Sequence, residues 1–419
     1  MTSHPDAARH ASAARPTTVR HARTHHTGRI LRGTALVTVA ILAFGGTAAY
    51  SVYAKLNGNI NRVDVSGLIG PRPTPSEGGK DPNAGKDVNI LLIGSDSREG
   101  ENGQIGGQVA TSMRSDTTLV MHISADRSRV EMVSIPRDSL VDIPACQTTN
   151  GETYPENHAM FNVAFARGWD KGQDLESAAA CTWRTVEANT GITIDDFALV
   201  DFAGFQTMVD AIGGVPICIP FDMDDRKAKL HIQAGNHELD GKTALAYARS
   251  RYNQGNDGSD TGRIGNQQRL LAAMAAEILK KNVLTDWTEL LGLLNAATKS
   301  LTTSMSTPDM AGLAYSARSI RTGNITFMTI PWAPARSDKN RVEWTSEAET
   351  VWANIAVDKP MLTGTSQDPA AQPTGAPSAT ASPTPGQTAT ASPSKTPKPK
   401  ATRKAGREAF TLDDDTGSC

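Results

Sequence analysis

Thr34 to Ala54 (TALVTVAILAFGGTAAYSVYA) runs for twenty-one residues without a charge, and Lys55 ends it. As a helix rising about 1.5 Å per residue, such a stretch crosses a hydrocarbon core roughly 30 Å thick. A cleaved signal peptide is the competing reading, because the Ala/Gly-rich end offers a small-residue cleavage site. The run is longer than a usual signal core and follows a long basic extension, so an uncleaved transmembrane helix over residues 34–54 is expected. Residues 1–33 read as a disordered basic segment with six arginines, among them Arg20, Arg29 and Arg32, against a single acid, Asp6. By the positive-inside rule this bias keeps the N-terminus cytoplasmic and places everything after Lys55 outside a cell membrane crossed once.

The flanks of the remaining chain are poor in core-forming residues. Residues 55–85 are rich in Gly, Pro and Asn without sustained periodicity, which reads as an extracellular spacer. Residues 359–419 are dominated by Thr, Pro, Ser, Ala and Gln, with Lys395, Lys398 and Lys400 towards the end. Such a composition buries too little apolar surface to offset ordering entropy, so a disordered tail is expected. One large folded domain over residues 86–358 remains. The net charge of -2 gives no ground for a nucleic-acid partner. Of the four cysteines, Cys146, Cys181 and Cys218 fall in the folded region and Cys419 ends the chain. An oxidising exterior allows one internal bridge and an odd thiol. The sequence does not choose the pair. Cys146 with Cys181 is favoured, because Cys218 sits in the apolar pattern Val215 to Ile219, where a cysteine serves as a small buried hydrophobe.

Within the domain, Val88 to Ile93, Thr117 to Ile123 and Arg129 to Ile135 read as strands, as do Phe197 to Phe202, Val215 to Ile219 and Asn324 to Ile330. Helical spacing covers Asn157 to Arg167, Leu175 to Thr190, Ala203 to Ile212 and Lys242 to Arg249. It continues through Arg263 to Lys281, Asp286 to Ser300, Pro308 to Ile320 and Glu347 to Val357. The alternation predicts an α/β/α sandwich, a central mixed sheet flanked by helices.

Chemistry-bearing residues gather where these elements end. Arg249, Arg251 and Arg263 fall within fifteen residues, with Asp260 and Gln267 beside them. Guanidinium forks bind phosphate oxygens bidentately and hold their charge at any biological pH, so the group reads as a diphosphate clamp. Arg137 follows a strand and Pro136, a rigid place for another clamp member. Asp96 and Asp116 close and open strands beside Arg98 and Arg114, and two carboxylates among arginines suit an octahedral Mg²⁺ completed by phosphate oxygens and water. Against this set, no GxSxG, HExxH or GxxxxGK occurs. His122, His158, His231 and His237 are scattered. A Ser/His hydrolase is disfavoured.

In order along the chain stand NILLIGSDSR (89–98), RSDTTLVMHI (114–123), VSIPRDSLVDIP (133–144), FNVAFARG (161–168), VDFAGFQTMVDAIGGV (200–215), LDGKTALAYARSR (239–251) and DTGRIGNQQR (260–269). With one N-terminal span before them, they resemble the LytR-CpsA-Psr family of actinobacterial type. The resemblance implies a phosphotransferase that moves a glycopolymer from a polyprenyl diphosphate carrier to peptidoglycan through a phosphodiester. It implies Mg²⁺, with Mn²⁺ as the alternative ion, on Asp96 and Asp116. It implies diphosphate contacts from Arg137, Arg249, Arg251 and Arg263, with Asp260 and Gln267 as the remaining polar members and Arg98 and Arg114 in support. The family houses the lipid between sheet and helices, which points to Phe202, Phe205, Met208, Val209, Leu270 and Leu271. Two positions depart from the pattern: Asn266 stands where a basic residue is common, and Met160 where a lysine is. A non-catalytic module binding polyprenyl phosphate or wall polymer is the alternative reading, and a lipid diphosphate pyrophosphatase another.

Overall fold

A computed structural model describes residues 26–70, 85–96, 101–106, 113–251, 260–280, 287–370 and 403–414. The chain divides into two compact units, Met1–Lys55 and Leu56–Cys419. Helix α1 begins at His26 in the first unit and runs past its end to Asn59, longer at both ends than the uncharged run. Its stretch Thr34–Asn59 is long and apolar enough to cross a membrane, and its large side chains, including Leu42 and Phe44, are exposed.

The second unit is built on an eight-stranded mixed sheet. Its strands are β1 (Asn61–Arg62), β2 (Val88–Ser95), β3 (Ser115–Ile123), β4 (Val130–Ile135), β5 (Asp196–Val200), β6 (Leu301–Thr303), β7 (Ile325–Thr329) and β8 (Phe410–Thr411), lying in the order β1-β6-β5-β2-β3-β4-β7-β8. β2, β3 and β4 form an antiparallel meander, whereas β5 runs parallel to β2 and β7 parallel to β4. Alternation along β2 explains the layering: Leu91 and Ile93 point into one core with Trp183, Phe165 and Trp352, and Val88 and Ile90 into another with Phe327 and Leu313.

The helices after α1 are α2 (Ser66–Ile69), α3 (Glu101–Gly106), α4 (Asn162–Gly172), α5 (Leu175–Thr190), α6 (Phe202–Ile212), α7 (Gly241–Arg249), α8 (Asp260–Lys280), α9 (Trp287–Lys299), α10 (Thr307–Ser316) and α11 (Ser346–Ala356). Aspartates start several of them. The side chains of Asp174, Asp201 and Asp240 accept from the backbone N–H groups of Ser177, Gly204 and Thr243, each occupying a donor that the first turn leaves open. α6, α7 and α8 share a third core with the hairpin Val215–Ile219 and Gly235–Leu239 around Tyr247 and Leu270.

The α/β sandwich is as expected, but four local readings differ. Asn157–Met160 is a strand paired with Leu140–Ile143, and helix begins only at Asn162, because backbone pairing such as Asp142 with His158 outweighs the helical spacing. Residues 56–69, expected in a spacer, enter the fold: β1 pairs with β6, and Val63 and Val65 are core residues. Residues 359–370 and 403–414, expected in a disordered tail, also pack on the unit, with Met361, Ala409 and Phe410 buried and β8 joined to β7. Finally, Cys146 and Cys181 form the favoured disulfide, 5.5 Å apart at Cα, and Cys218 is disulfide-bonded rather than a free buried thiol. The remaining cysteine, Cys419, lies outside the described residues.

Candidate functional site

The end of β2, the start of β3 and the end of β4 are neighbours at one edge of the meander. A register shift between Gly94 and Ser95 turns β2 so that the Asp96 N–H donates to the Arg114 carbonyl at 3.0 Å. The Arg114 N–H in turn donates to Asp96 Oδ1 at 2.6 Å. Asp96 is thereby fixed across from the residues leading to Asp116. At the end of β4, Pro136 and Arg137 turn the chain, with the Ser139 N–H donating to the Pro136 carbonyl.

Asp260, in the first turn of α8, is the hub of the charges. Its Oδ1 lies 2.5 Å from Arg263 Nη2, 3.2 Å from Arg137 Nε and 3.7 Å from Arg251 Nη2. Arg137 also reaches across to β3, its Nη1 donating to Asp116 Oδ1 at 2.5 Å, a shorter contact than the 3.8 Å to its chain neighbour Asp138. Arg263 is buried and donates from Nη2 to the Asp116 carbonyl at 3.2 Å. Burial alone would raise the Asp116 carboxyl, but Arg263 and Arg137 outweigh it and hold it below the ordinary carboxylate range. At Asp260 burial prevails over the same arginines and the carboxyl is raised.

The turn after α7 is held from below. Asp225 Oδ2 accepts from Ser250 Oγ at 3.1 Å and from the Arg251 N–H at 2.9 Å, fixing where Arg251 leaves the helix. Asn266 is buried and donates from Nδ2 to the carbonyls of Tyr247 and Ser250, at 3.4 and 3.3 Å. The asparagine that departs from the resemblance therefore ties α8 to the end of α7. Gln267 Nε2 donates to the Ala248 carbonyl at 3.3 Å in the same way. Arg249 lies over the Phe202 ring at 4.7 Å.

Beside this cluster opens a cavity of about 250 Å³ between the sheet and α6, α7 and α8. Its apolar walls include Leu92, Phe202, Phe205, Met208, Leu270 and Leu271, and Asp116, Arg249, Arg263 and Gln267 stand among them. Of the apolar residues read from the sequence as lining, Val209 is not in the wall but buried in the helical core.

The structure thus gathers Asp116, Arg137, Arg251, Asp260 and Arg263 by direct contact, and Arg249 and Gln267 at the cavity. Arg114 contributes its backbone N–H while its side chain is exposed, and Arg98 lies outside the described residues. Asp225 and Asn266 were missed: both act on backbone groups of another segment, and no spacing in the sequence announces that. Among the described residues no group of three or more His, Cys, Asp or Glu converges as a complete metal site. The donor chemistry still fits a hard cation bound jointly with phosphate: Asp116, its carboxyl held below the ordinary range by Arg263 and Arg137, lines the cavity wall, and Asp96 stands one strand away at the same edge. Four buried atoms of the cluster, Arg137 Nε, Arg263 Nε and both Asp260 oxygens, make no hydrogen bond of good geometry among the described residues, although Arg137 Nε lies 3.2 Å from Asp260 Oδ1. They retain hydrogen-bonding capacity.

The result is an α/β sandwich in which arginines and carboxylates from strand ends and helix ends gather beside an apolar cavity. Residues 52–355 match the LytR_cpsA_psr family, and the chain belongs to it. The cell wall biosynthesis protein LcpA of Corynebacterium glutamicum is 30% identical over 317 residues, 71% of this chain and 58% of LcpA. Less than two thirds of that relative's length is therefore spanned. The polyisoprenyl-teichoic acid–peptidoglycan teichoic acid transferase TagU of Bacillus cereus is 30% identical over 275 residues, 65% of this chain and 78% of TagU. Among solved structures, a LytR-Csp2A-Psr enzyme from Actinomyces oris superposes with a TM-score of 0.51 at 22% identity, covering 71% of this chain and 96% of that one, a likeness of fold. The family is implicated in transferring polyprenyl-linked glycopolymers to the cell wall.

Proposed function

We propose that this chain transfers a glycopolymer from a polyprenyl diphosphate to peptidoglycan, forming a phosphodiester, on the outer face of the membrane to which α1 anchors it. The observation that carries the reading is the direct opening of the arginine cluster onto an apolar cavity, with Asp116 and Arg263 belonging to both and Arg249 in the cavity wall. A lipid diphosphate has that division of character, a charged head and an apolar chain. Arg137, Arg249, Arg251 and Arg263 bind the diphosphate oxygens, and the cavity takes the first part of the lipid.

Asp96 and Asp116 would hold Mg²⁺ or Mn²⁺, which when bound supplies neutralisation of diphosphate charge. A sugar hydroxyl of peptidoglycan attacks the phosphorus bearing the glycan and releases its proton to water, and the bond from that phosphorus to the bridging oxygen breaks. Polyprenyl phosphate departs, its charge stabilised by the preorganised guanidiniums. Asp260 keeps the guanidiniums of Arg137, Arg251 and Arg263 together before the substrate arrives.

The test uses purified residues 56–419 with a lipid-linked glycan donor and peptidoglycan oligomers, with and without Mg²⁺. Glycan phosphate on the oligomer is the expected product, and Arg251→Ala should reduce its formation at least about 100-fold while the circular dichroism spectrum stays unchanged. Transfer by Arg251→Ala at the native rate sinks the mechanism. Soluble glycan phosphate and polyprenyl phosphate, with none of the glycan on the oligomer, make the protein a pyrophosphatase, and binding without turnover makes it a scaffold.

A further inference from the structure

Gln268 follows the site residue Gln267 on α8 and is wholly buried. Its Nε2 donates to Ser134 Oγ on β4 at 2.9 Å and to Thr329 Oγ1 on β7 at 3.1 Å. Its Oε1 accepts from the Gly406 N–H at 2.8 Å. One side chain therefore joins α8 to two strands and to a segment 138 residues further along the chain. Ser134 stands three positions before Arg137, and Gln268 five after Arg263.

Three further contacts seat that segment. A Cβ placed on Gly265 would lie 2.6 Å from the Ala405 carbonyl oxygen, so a helical glycine is what lets the segment's backbone reach α8. Phe410 is buried and stacks on Phe327 of β7, ring centroids 5.5 Å apart. The Ala409 N–H donates to Gln367 Oε1 at 2.6 Å. The segment lies beyond residues 52–355 that match the family.

We infer that residues 403–410 are a positioning element for the arginine site and that Gln268 is the positioning residue through which they act. Helix α8 carries Asp260 and Arg263, and the segment fixes its depth against β4 and β7 at Gly265 and Gln268. Removing it leaves the Gln268 carbonyl oxygen buried without its donor and frees the first turns of α8 to shift, which disperses the guanidiniums around Asp260. The effect on transfer rests on the function proposed above; the effect on α8 does not.

The experiment replaces residues 403–410 by a Gly-Ser repeat in the otherwise complete chain, leaving all cysteines in place, and reads amide hydrogen exchange alongside transfer. Exchange over 260–270 should accelerate at least tenfold while β2 and β3 stay protected. The rate constant kcat should fall at least tenfold with KM for the lipid donor within about threefold. Adding a peptide of residues 403–414 should restore both. Gly265→Leu, which favours helix but blocks Ala405, should reproduce the defect and resist rescue, whereas Gly265→Ala should reproduce it more mildly. Unchanged exchange over 260–270 overturns the inference, as does a uniform loss of protection across the sheet, which would mark the segment as general scaffolding. If the native chain shows no transfer at all, the exchange arm still decides the inference, and only the proposed function has failed.

Discussion

Asp260 gathers three guanidiniums while its own carboxyl is nearly enclosed, which makes it the residue on which the charge balance of the cluster turns. Taking away one partner of a buried ion pair costs more than the pair contributes, because the remaining charge stays desolvated. Asp260→Asn should therefore destabilise the domain by about 3 kcal/mol in urea unfolding and lower transfer on the order of 100-fold. A variant as stable and active as the native protein would show that the arginines keep their places without it. The sequence displayed these residues because their chemistry is local: arginine and aspartate at motif spacing announce an anion site. Asp225, Asn266 and Gln268 were hidden for the opposite reason. Each is an ordinary polar residue with a partner 16 to 138 positions away, and that part of its role is created only when α7, α8 and the sheet meet.

At the scale of elements, buried strands were readable from their apolar runs, whereas short strands and returning segments were not. Asn157–Met160 carries helical spacing but is claimed by Leu140–Ile143, and β8 owes its existence to β7 rather than to its own two residues. Strand β5 carries a cost that its sequence does not show. Burial pushes the Asp196 carboxyl up to about 6, with the Ser304 hydroxyl lowering it in part and Asp195 and Asp309 adding to the rise. Between the ordinary carboxyl value and about 6 the folded chain binds more protons than the unfolded one, so this group makes the fold less stable as pH rises through that window. Asp196→Asn keeps an acceptor for Ser304 and removes the charge. Its Tm should exceed that of the native domain by roughly 2 °C at pH 7 and approach it near pH 4. A difference that grows on acidification would contradict the burial argument.

On the scale of the whole molecule, the uncharged run, the arginine-rich segment before it and the folded unit after it suit the membrane-bound substrate of the function proposed above. The anchor was legible because crossing a bilayer requires only length and apolarity; the site's architecture was not, because it depends on which sheet neighbours the chain selects. Anchoring has a thermodynamic consequence distinct from catalysis. On the function proposed above, a membrane tether would raise the effective concentration of the second unit at a membrane-embedded donor and make the encounter nearly intramolecular. Residues 56–419, which lack the apolar span of α1, should therefore show KM for a long-chain donor in vesicles raised by roughly 100-fold. The same fragment should match the full chain in both kcat and KM on a short-chain donor dispersed in detergent, since Arg137, Arg251 and Arg263 belong wholly to that unit. If the fragment instead loses kcat on the short-chain donor, α1 is part of the catalytic structure rather than an anchor. If KM in vesicles is unchanged, the cavity between the sheet and α6, α7 and α8 draws the lipid in without help from the span.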